Sequence, residues 1–294
     1  MDDQPGFLLW VQASRPRTLP AAAAPVLIGS AMAFASHSAH WLSALAALVG
    51  ALFIQIGTNF ANDYYDSAKG ADTTDRLGPT RLTAAGLIRP EQMKKAMVIA
   101  FALALLVGVY LVWRGGWPII VIGILSLLFG FMYTGGPMPL GYIGLGDLFV
   151  LIFFGPVAVG GTYYVQTLAI NSEVLIAGLA PGLLSMAILT VNNLRDIDTD
   201  RCTGKKTLAV RFGAVFSQWE YLFCLVMAAI IPLLLWQLSG KHTYALAASL
   251  ILIPAVPAIR TAFTRSGAVL NELLSDTGKL LLLYAMLFSI GWQL

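Results

Sequence analysis

The sequence has few charged residues. Lysine, arginine, aspartate and glutamate together make up 11% of the 294 residues, whereas 58% are hydrophobic. A soluble domain carries roughly 25% charged residues, and the mean hydropathy here is +0.77. Because such a chain cannot cover itself with a polar surface, its composition excludes an ordinary soluble domain and predicts a protein that lies in a lipid bilayer.

Cysteine is also scarce. Cys202 lies in a charged stretch and Cys224 in an apolar one, which excludes a disulfide framework and indicates two unpaired thiols. A net charge of +3 gives no reason to expect nucleic acid as a partner. The sequence also lacks a phosphate-binding Walker loop, a dinucleotide fingerprint and a G-x-S-x-G nucleophile motif.

Long apolar runs fill most of the chain instead. They lie near residues 18–36, 41–61, 95–113, 117–134, 146–166, 174–193, 218–238, 243–262 and 277–293. Each approaches the roughly 20 residues that a helix needs to cross a bilayer, and the runs are continuous rather than alternating, which favours helices over barrel strands. The sequence therefore predicts an all-α membrane bundle of about nine helices, folded as one domain over residues 1–294.

Basic residues are distributed unevenly between the two sides of this bundle. If the N-terminus lies inside, the outer segments hold only Arg114 and Lys241, and the other sixteen of the 18 basic residues lie inside. Cytoplasmic loops carry the excess of lysine and arginine. The count predicts a cytoplasmic N-terminus and two long cytoplasmic polar segments, 62–94 and 194–217. The three histidines fall on the outer side, which argues against histidine acid–base chemistry beside those segments.

Each polar segment begins with acidic and amide residues at helical spacing. Asn59, Asp63 and Asp66 are at i, i+4 and i+7, and Asn193, Asp196 and Asp200 are at i, i+3 and i+7, so that each set shares one helical face. Like charges so placed repel unless something neutralises them. Hard oxygen ligands of this kind suit Mg²⁺. The predicted metal ligands are Asn59, Asp63, Asp66, Asp196 and Asp200.

Basic residues accompany both acidic stripes, namely Arg76, Arg81, Arg195, Arg201, Lys205 and Lys206. Arginine forks match phosphate oxygens, and lysine supplies a point charge. Acids for magnesium, bases for phosphate and an apolar bundle together indicate a site for a lipid diphosphate. The alternative is that these are ordinary solvated loops, which is the better interpretation for Asp72, Asp75 and Asp198 because they fall off the stripes.

Asp147 opens the fifth apolar run and allows two interpretations. An acid in this position could simply complement the helix dipole. It could instead line a cavity mouth together with Tyr133 and Tyr142. Gln55, within the second run, also indicates a polar cavity, because an amide inside a bundle needs a partner.

These strings resemble the UbiA superfamily of intramembrane prenyltransferases. Asn62-Asp63-Tyr-Tyr-Asp66 with Arg76 and Arg81 resembles the first Asp-rich motif of that family, and the stretch from Asn193 to Lys206 resembles the second. Further marks are the strings at 14–20, 69–79 and 141–147. Gly70 stands where the superfamily usually has another aspartate, and Asp72 lies two residues further on. The resemblance implies a nine-helix bundle in a bacterial inner membrane, with a cytoplasmic cap over a central cavity.

The resemblance also implies an activity. It is the Mg²⁺-dependent transfer of a polyprenyl group from polyprenyl diphosphate to 1,4-dihydroxy-2-naphthoate, with decarboxylation, to give demethylmenaquinone. The carboxylates with catalytic roles would be Asp63, Asp66, Asp196 and Asp200. Residues that would bind substrate are Asn59, Asn62, Arg76, Arg81, Tyr133, Tyr142, Asp147, Asn193, Arg195, Lys205 and Lys206, and Tyr133, Tyr142 or Tyr64 would stabilise an allylic cation through cation–π contact.

The sequence alone also allows other interpretations. The acceptor could be 4-hydroxybenzoate, homogentisate or another aromatic ring, and the residues specify neither the general base, nor the prenyl chain length, nor the oligomeric state. A different class of protein, an ion-coupled secondary transporter, would also place acids within a helical bundle. Clustering of the acids at one membrane face rather than at the midplane counts against a transporter.

Overall fold

The fold is known from a computed structural model that describes residues 6–70, 77–137 and 139–294. Regular secondary structure within those ranges is entirely helical, which confirms the all-α prediction. The α-helices are α1 (Phe7–Ala13), α2 (Pro20–Ala35), α3 (Trp41–Ala68), α4 (Pro90–Gly115), α5 (Trp117–Met132), α6 (Gly146–Ile152), α7 (Ala158–Thr167), α8 (Ser172–Arg195), α9 (Ile197–Cys202), α10 (Leu208–Ser239), α11 (Leu252–Thr264) and α12 (Leu270–Gln293).

The apolar runs of the sequence become helical segments that differ in length. Seven of them, in the described part of the chain, are long and apolar enough to cross a membrane. An eighth span forms if the pair Phe7–Thr18 and Pro20–Ala35, bent by 55°, counts as one. The remaining run is α5, whose 16 residues extend for only about 24 Å at 1.5 Å per residue. The count of about nine therefore holds only if the bent pair and this short helix are included.

The fifth predicted span is broken within the bundle. Gly155, between α6 and α7, has φ −110° and ψ −113°, and Pro156 follows it. A Cβ atom on Gly155 would lie 2.7 Å from the carbonyl oxygen of Gly178, and one on Gly182 would lie 3.0 Å from the Cα of Gly155. Glycine at these positions lets the broken span lie directly against α8.

The second acidic stripe does not lie on one continuous helix, contrary to the prediction. Helix α8 ends at Arg195, and Asp196 is the junction, with φ −99° and ψ 11°, before the short helix α9. The backbone N–H of Asp200 still donates to the carbonyl of Asp196, over 2.8 Å, so that one turn continues across the break. The first stripe is as predicted, because α3 continues without interruption to Ala68.

Packing divides the bundle into two hydrophobic cores. The larger one lies among α2, α8, α10 and α12, and its fully buried side chains include Tyr221, Tyr284 and Phe288. The smaller one joins α3 and α4 to the loop 77–89, whose Leu82 and Ile88 are almost completely buried. Since the loop contributes core residues, it covers one end of the bundle. That end carries the acidic residues of both stripes and is called the polar end below.

Candidate active site

A large cavity extends from the polar end into the apolar bundle. Its volume is about 630 Å³, and its walls come mainly from α3, α4, α5, α7 and α8. Along α3 the lining residues run from Asp66 to Ala47, which is about 28 Å of helix. The cavity thus has charged and amide groups at one end and aliphatic and aromatic side chains over the rest of its length, as an amphiphile with a polar head and a long apolar chain requires.

Asp66 stands at the polar end of the cavity and uses both carboxylate oxygens. Oδ2 is 2.8 Å from Nη2 of Arg81, and Oδ1 accepts a 2.8 Å hydrogen bond from the hydroxyl of Tyr142. Both Asp66 and Arg81 are more than nine-tenths buried. The loop 77–89, called the covering loop below, and the loop between α5 and α6, called the loop before α6, are therefore both attached to the same carboxylate of α3.

Asp63 has a different role from Asp66, although both belong to the predicted stripe. Its two oxygens accept the backbone N–H groups of Leu82 and Thr83, at 3.1 and 3.0 Å. Its side chain is buried but does not line the cavity. In this structure Asp63 fixes the covering loop against α3.

The second acidic segment contributes Asp196 and Asp200. Asp196 makes a two-pronged ion pair with Arg195, whose guanidinium also donates to Asn192 and, over 2.8 Å, to Asn271 of α12. The Lys205 ammonium lies 3.3 Å from Asp200. Both aspartates and Lys205 line the cavity, whereas Arg195 is buried behind it.

Tyr142 connects the two segments. The ammonium groups of Lys69 and Lys205 lie 4.9 and 5.0 Å from the centre of its ring, within the range of a cation–π contact. The Lys69 ammonium also donates a 2.6 Å hydrogen bond to the carbonyl of Thr134. Partial burial lowers the pKa of Lys69; Asp66 opposes this shift, and the positive charge of Lys205 adds to it.

The structure separates the predicted site residues into two groups. Those that line the cavity are Asn59, Asn62, Asp66, Arg81, Tyr133, Tyr142, Asn193, Asp196, Asp200 and Lys205. Those that do not line it are Asp63, Asp147, Arg195 and Lys206. Lys206 has an exposed side chain, and its backbone makes its contacts: its N–H donates to the carbonyl of Tyr142, and its carbonyl accepts from Arg211. Tyr64 packs in the smaller core instead of the cavity wall.

Three sequence predictions fall outside the described residues. Arg76 was expected to bind phosphate, and Asp72 and Asp75 were expected to be loop charges. All three belong to the segment 71–76, which the described ranges leave out.

Some polar residues of the cavity wall were not predicted from the sequence, Arg15 and Thr18 among them. Arg15 and Thr18 come from the bend between α1 and α2. The amide nitrogen of Asn59 donates to the Thr18 hydroxyl over 3.1 Å and to the carbonyl of Ser14 over 2.9 Å, and Gln55 also donates to Thr18. Arg15 has a left-handed backbone, with φ 52°, which turns the chain at this point. The sequence signal that could have identified these two residues is the segment 14–20, which contains both of them and is one of the segments that resemble the family.

The donor set at the polar end fits a hard divalent cation. Asp66, Asp196 and Asp200 present carboxylates to one cavity, beside the cations Arg81 and Lys205. Within the described ranges no three acidic, histidine or cysteine side chains stand close enough together to enclose a metal ion by themselves. Mg²⁺ is commonly held by one or two carboxylates together with substrate phosphates, and this arrangement meets that requirement without a complete protein cage.

Comparison with known proteins identifies the family. Residues 22–274 match the UbiA prenyltransferase family. The chain is 39% identical to 1,4-dihydroxy-2-naphthoate octaprenyltransferase of Mycobacterium tuberculosis over 280 residues, which cover 95% of each chain. It is 38% identical to the enzyme of the same name from Escherichia coli K12 over 293 residues, covering 96% of this chain and 94% of the other.

The fold is similar to that of a solved structure. A UbiA homologue from Archaeoglobus fulgidus, bound to DMAPP and Mg²⁺, superposes with a TM-score of 0.61 at 14% identity, covering 96% of this chain and 99% of that one. At this identity the likeness shows the fold alone. Taken with the match over residues 22–274, it leads to one conclusion: the chain belongs to the UbiA prenyltransferase family.

Proposed function

We propose that this protein transfers a polyprenyl group from polyprenyl diphosphate to 1,4-dihydroxy-2-naphthoate, with loss of carbon dioxide, and so forms demethylmenaquinone. The observation that carries the proposal is the large cavity, which follows α3 for about 28 Å, with acids and bases at one end and mainly aliphatic and aromatic side chains over the rest. The naphthoate acceptor is supported by two relatives that carry this activity in their names and match nearly the whole chain.

The diphosphate of the donor would bind at the polar end. Arg81 and Lys205 line the cavity there, and their positive charges would offset the negative charge that grows on the leaving group as the C–O bond breaks. Asp66, Asp196 and Asp200 would hold magnesium, which when bound neutralises the diphosphate and makes it a better leaving group. Magnesium in the bound A. fulgidus homologue supports this assignment.

The rest of the cavity would hold the prenyl chain and keep water away from the allylic cation. Phe129, Phe149 and Phe153 line it just below the polar end, with ring centres 4.5 to 6.1 Å apart. Aromatic faces attract cations, and we assign cation stabilisation to these rings and to Tyr133 and Tyr142. The electron-rich naphthoate ring would then attack the cation.

The experiment that tests the function is an assay on membranes that contain the full chain. A polyprenyl diphosphate is offered with 1,4-dihydroxy-2-naphthoate or with 4-hydroxybenzoate, with magnesium or with excess EDTA. Prenylated, decarboxylated naphthoquinol that forms only with magnesium is the expected product. Preference for 4-hydroxybenzoate would overturn the acceptor assignment, and product formation in EDTA would overturn the role of the metal.

We also propose that the polar end faces the cytoplasm of a bacterial cell and that the protein lies in its inner membrane. The excess of basic residues at this end supports that orientation. The native cysteines provide the test, because Cys202 is exposed at the polar end and Cys224 is buried in the bundle. A membrane-impermeant maleimide should label Cys202 in inside-out vesicles and not in right-side-out ones. The reverse pattern would contradict the orientation.

A further inference from the structure

A second, smaller pocket lies on the surface of the bundle where α11 ends. Its volume is about 330 Å³, and it is lined by Arg260, Thr261, Thr264 and Arg265. None of these four residues lines the large cavity, so that the pocket is separate from the candidate active site. Its lining combines two guanidinium groups with two hydroxyl groups and contains no acid.

The pocket belongs to the polar end of the bundle. The segment that follows α11 packs against the covering loop, because a Cβ atom on Gly267 would lie 3.9 Å from the Cδ1 atom of Leu77. Asn271, at the start of α12, donates a 2.8 Å hydrogen bond to the carbonyl of Leu77 and accepts one from Arg195. The pocket is therefore on the side of the membrane that carries the covering loop and both acidic segments.

One face of α11 changes from apolar to polar as the helix approaches the pocket. Ile253, Pro257, Arg260 and Thr264 are at i, i+4, i+7 and i+11, so that they share a face, and all four are exposed. The segment Thr243–Thr264 is a candidate membrane span, and Ile253 is 69% exposed, which assigns the first part of this face to lipid tails. Because basic side chains near the end of a span reach to the headgroups, the pocket lies at headgroup level.

The two arginines of the pocket carry uncompensated positive charge. Neither Arg260 nor Arg265 forms an ion pair with an acid in the part of the chain that the structure describes. Arg81 of the covering loop differs, because its guanidinium is paired with Asp66. The pocket therefore offers two charged forks to an anion.

The last turn of α11 does not use these guanidinium groups to satisfy its own carbonyls. The Thr261 hydroxyl donates to the Pro257 carbonyl over 2.9 Å, and the Thr264 hydroxyl donates to the Arg260 carbonyl over 2.7 Å. The backbone N–H of Arg265 donates to the Thr261 carbonyl over 2.9 Å. Basic residues at a helix C-terminus complement the helix dipole, but that role alone requires no pocket between two of them.

We propose that this pocket binds the headgroup of an anionic phospholipid from the leaflet that the polar end faces. The phosphodiester would lie between Arg260 and Arg265, because guanidinium forks match phosphate oxygens. The acyl chains would follow the apolar face of α11 past Ile253. Basic pockets at the cytoplasmic ends of membrane helices bind anionic headgroups in this way. The inference is independent of the transferase activity, because it depends only on the pocket and on the surrounding bilayer.

The test compares lipid binding by three forms of the full-length protein purified in detergent. They are the wild type, the double variant Arg260→Gln/Arg265→Gln and the control Lys94→Gln/Lys95→Gln. The control also removes two positive charges, from exposed lysines of α4 that line neither the large cavity nor this pocket. Native mass spectrometry counts the bound molecules of dioleoylphosphatidylglycerol or of dioleoylphosphatidylcholine over a series of lipid concentrations.

We expect the wild type to bind its first phosphatidylglycerol about tenfold more tightly than phosphatidylcholine. The control should keep this ratio within about twofold, and the arginine double variant should lower it to about one. All three proteins should unfold at the same temperature, because the substituted side chains are exposed. Each single arginine variant should lose part of the preference, which keeps the site testable if the double variant unfolds early.

Three results would overturn the lipid site. The first is a wild type without preference for phosphatidylglycerol, and the second is an equal loss of preference in the lysine control, which would assign the effect to the overall charge of the polar end. The third is displacement of the lipid by inorganic phosphate at the same concentration, because free phosphate lacks the acyl chains that follow α11. Failure of the proposed transferase function would leave the lipid measurements unchanged.

Discussion

The Tyr142 hydroxyl donates a 2.8 Å hydrogen bond to Asp66, and this contact joins the two Asp-rich segments. Asp66 belongs to α3, while the Tyr142 ring carries the ammonium of Lys205, the partner of Asp200. Further along the same loop, the carbonyl of Ile143 accepts a 2.7 Å hydrogen bond from Arg211 of α10. The loop before α6 therefore links α3 to α10 at the polar end.

Removal of the Tyr142 hydroxyl should weaken the site without unfolding the protein. Hydrogen bonds to charged groups contribute about 1.5–3 kcal/mol, and Arg81 still pairs with Asp66 in the variant. We expect Tyr142→Phe to lower kcat/KM for polyprenyl diphosphate about tenfold or more. Steady-state kinetics in membranes measures this. Tyr164→Phe is the control, since that hydroxyl donates to the Gly115 carbonyl far from the polar end, and a similar loss there would contradict the assignment.

Helical periodicity predicted the first acidic stripe correctly, because α3 is an uninterrupted helix and its buried face is set by local spacing. The second stripe was predicted less well. The break at Asp196 coincides with the ion pair to Arg195 and the bond from Arg195 to Asn271 of α12, a contact between residues distant in sequence. Spacing along one helix cannot show such a contact.

Asp63 and Asp66 also show that spacing along a helix does not reveal contacts with distant parts of the chain. Both fall on the predicted face of α3, but only the path of the covering loop decides that Asp63 is bonded to backbone N–H groups while Asp66 meets the cavity. Asp147 is a further case, because its place at the start of a span fitted both a residue that complements the helix dipole and a residue that lines a cavity mouth. The structure buries its side chain outside the cavity lining, which its position at the start of the span does not show.

Replacement of Asp63 should loosen the covering loop as well as lower activity. In Asp63→Asn an amide N–H₂ faces a backbone N–H, so that one of the two loop hydrogen bonds is lost, at a cost of about 1–3 kcal/mol. We expect a lower Tm in detergent and faster hydrogen exchange at residues 77–89. The exposed Asp198, whose pair with Arg201 spans 3.5 Å, is the control, because such surface pairs contribute little. Unchanged exchange in Asp63→Asn would contradict the structural role.

Lys205 and Lys206 are adjacent in sequence and should respond differently to the same change. Lys205 lines the cavity and Lys206 does not, so that only Lys205 can share the charge of a bound diphosphate. Lys205→Gln should raise KM for polyprenyl diphosphate about tenfold, the loss expected when one charged hydrogen bond to phosphate is removed.

Lys206→Gln removes the same charge one residue away and should leave KM within about twofold, because only its backbone N–H bonds to the loop before α6. Both variants can be measured in one membrane assay over a series of donor concentrations. Equal increases in KM would show that the lysines act through the electrostatic potential of the polar end rather than through direct contact with the diphosphate. That result would contradict the placement of the diphosphate beside Lys205.

The apolar length of the cavity should limit the prenyl chain that fits. Gly123 lines the cavity on α5, and a Cβ atom there would meet no other atom within 4 Å, which leaves room for a larger side chain. Gly123 lies about 15 Å along the helix from Tyr133. Gly123→Phe should therefore place an aromatic ring in the path of the chain while leaving the polar end unchanged.

We expect Gly123→Phe to keep near-normal kcat/KM with geranyl diphosphate and to lose about tenfold or more with a long polyprenyl diphosphate, because only the long chain reaches the new ring. Mass spectrometry of the products formed from a mixture of the two donors gives the ratio of long-chain to short-chain product in one experiment. Ile99→Phe adds a ring on the lipid-facing side of α4, where Ile99 is 58% exposed and outside the cavity lining, and should leave the ratio unchanged. Equal losses for both donors in Gly123→Phe would mean that the chain takes another path out of the polar end.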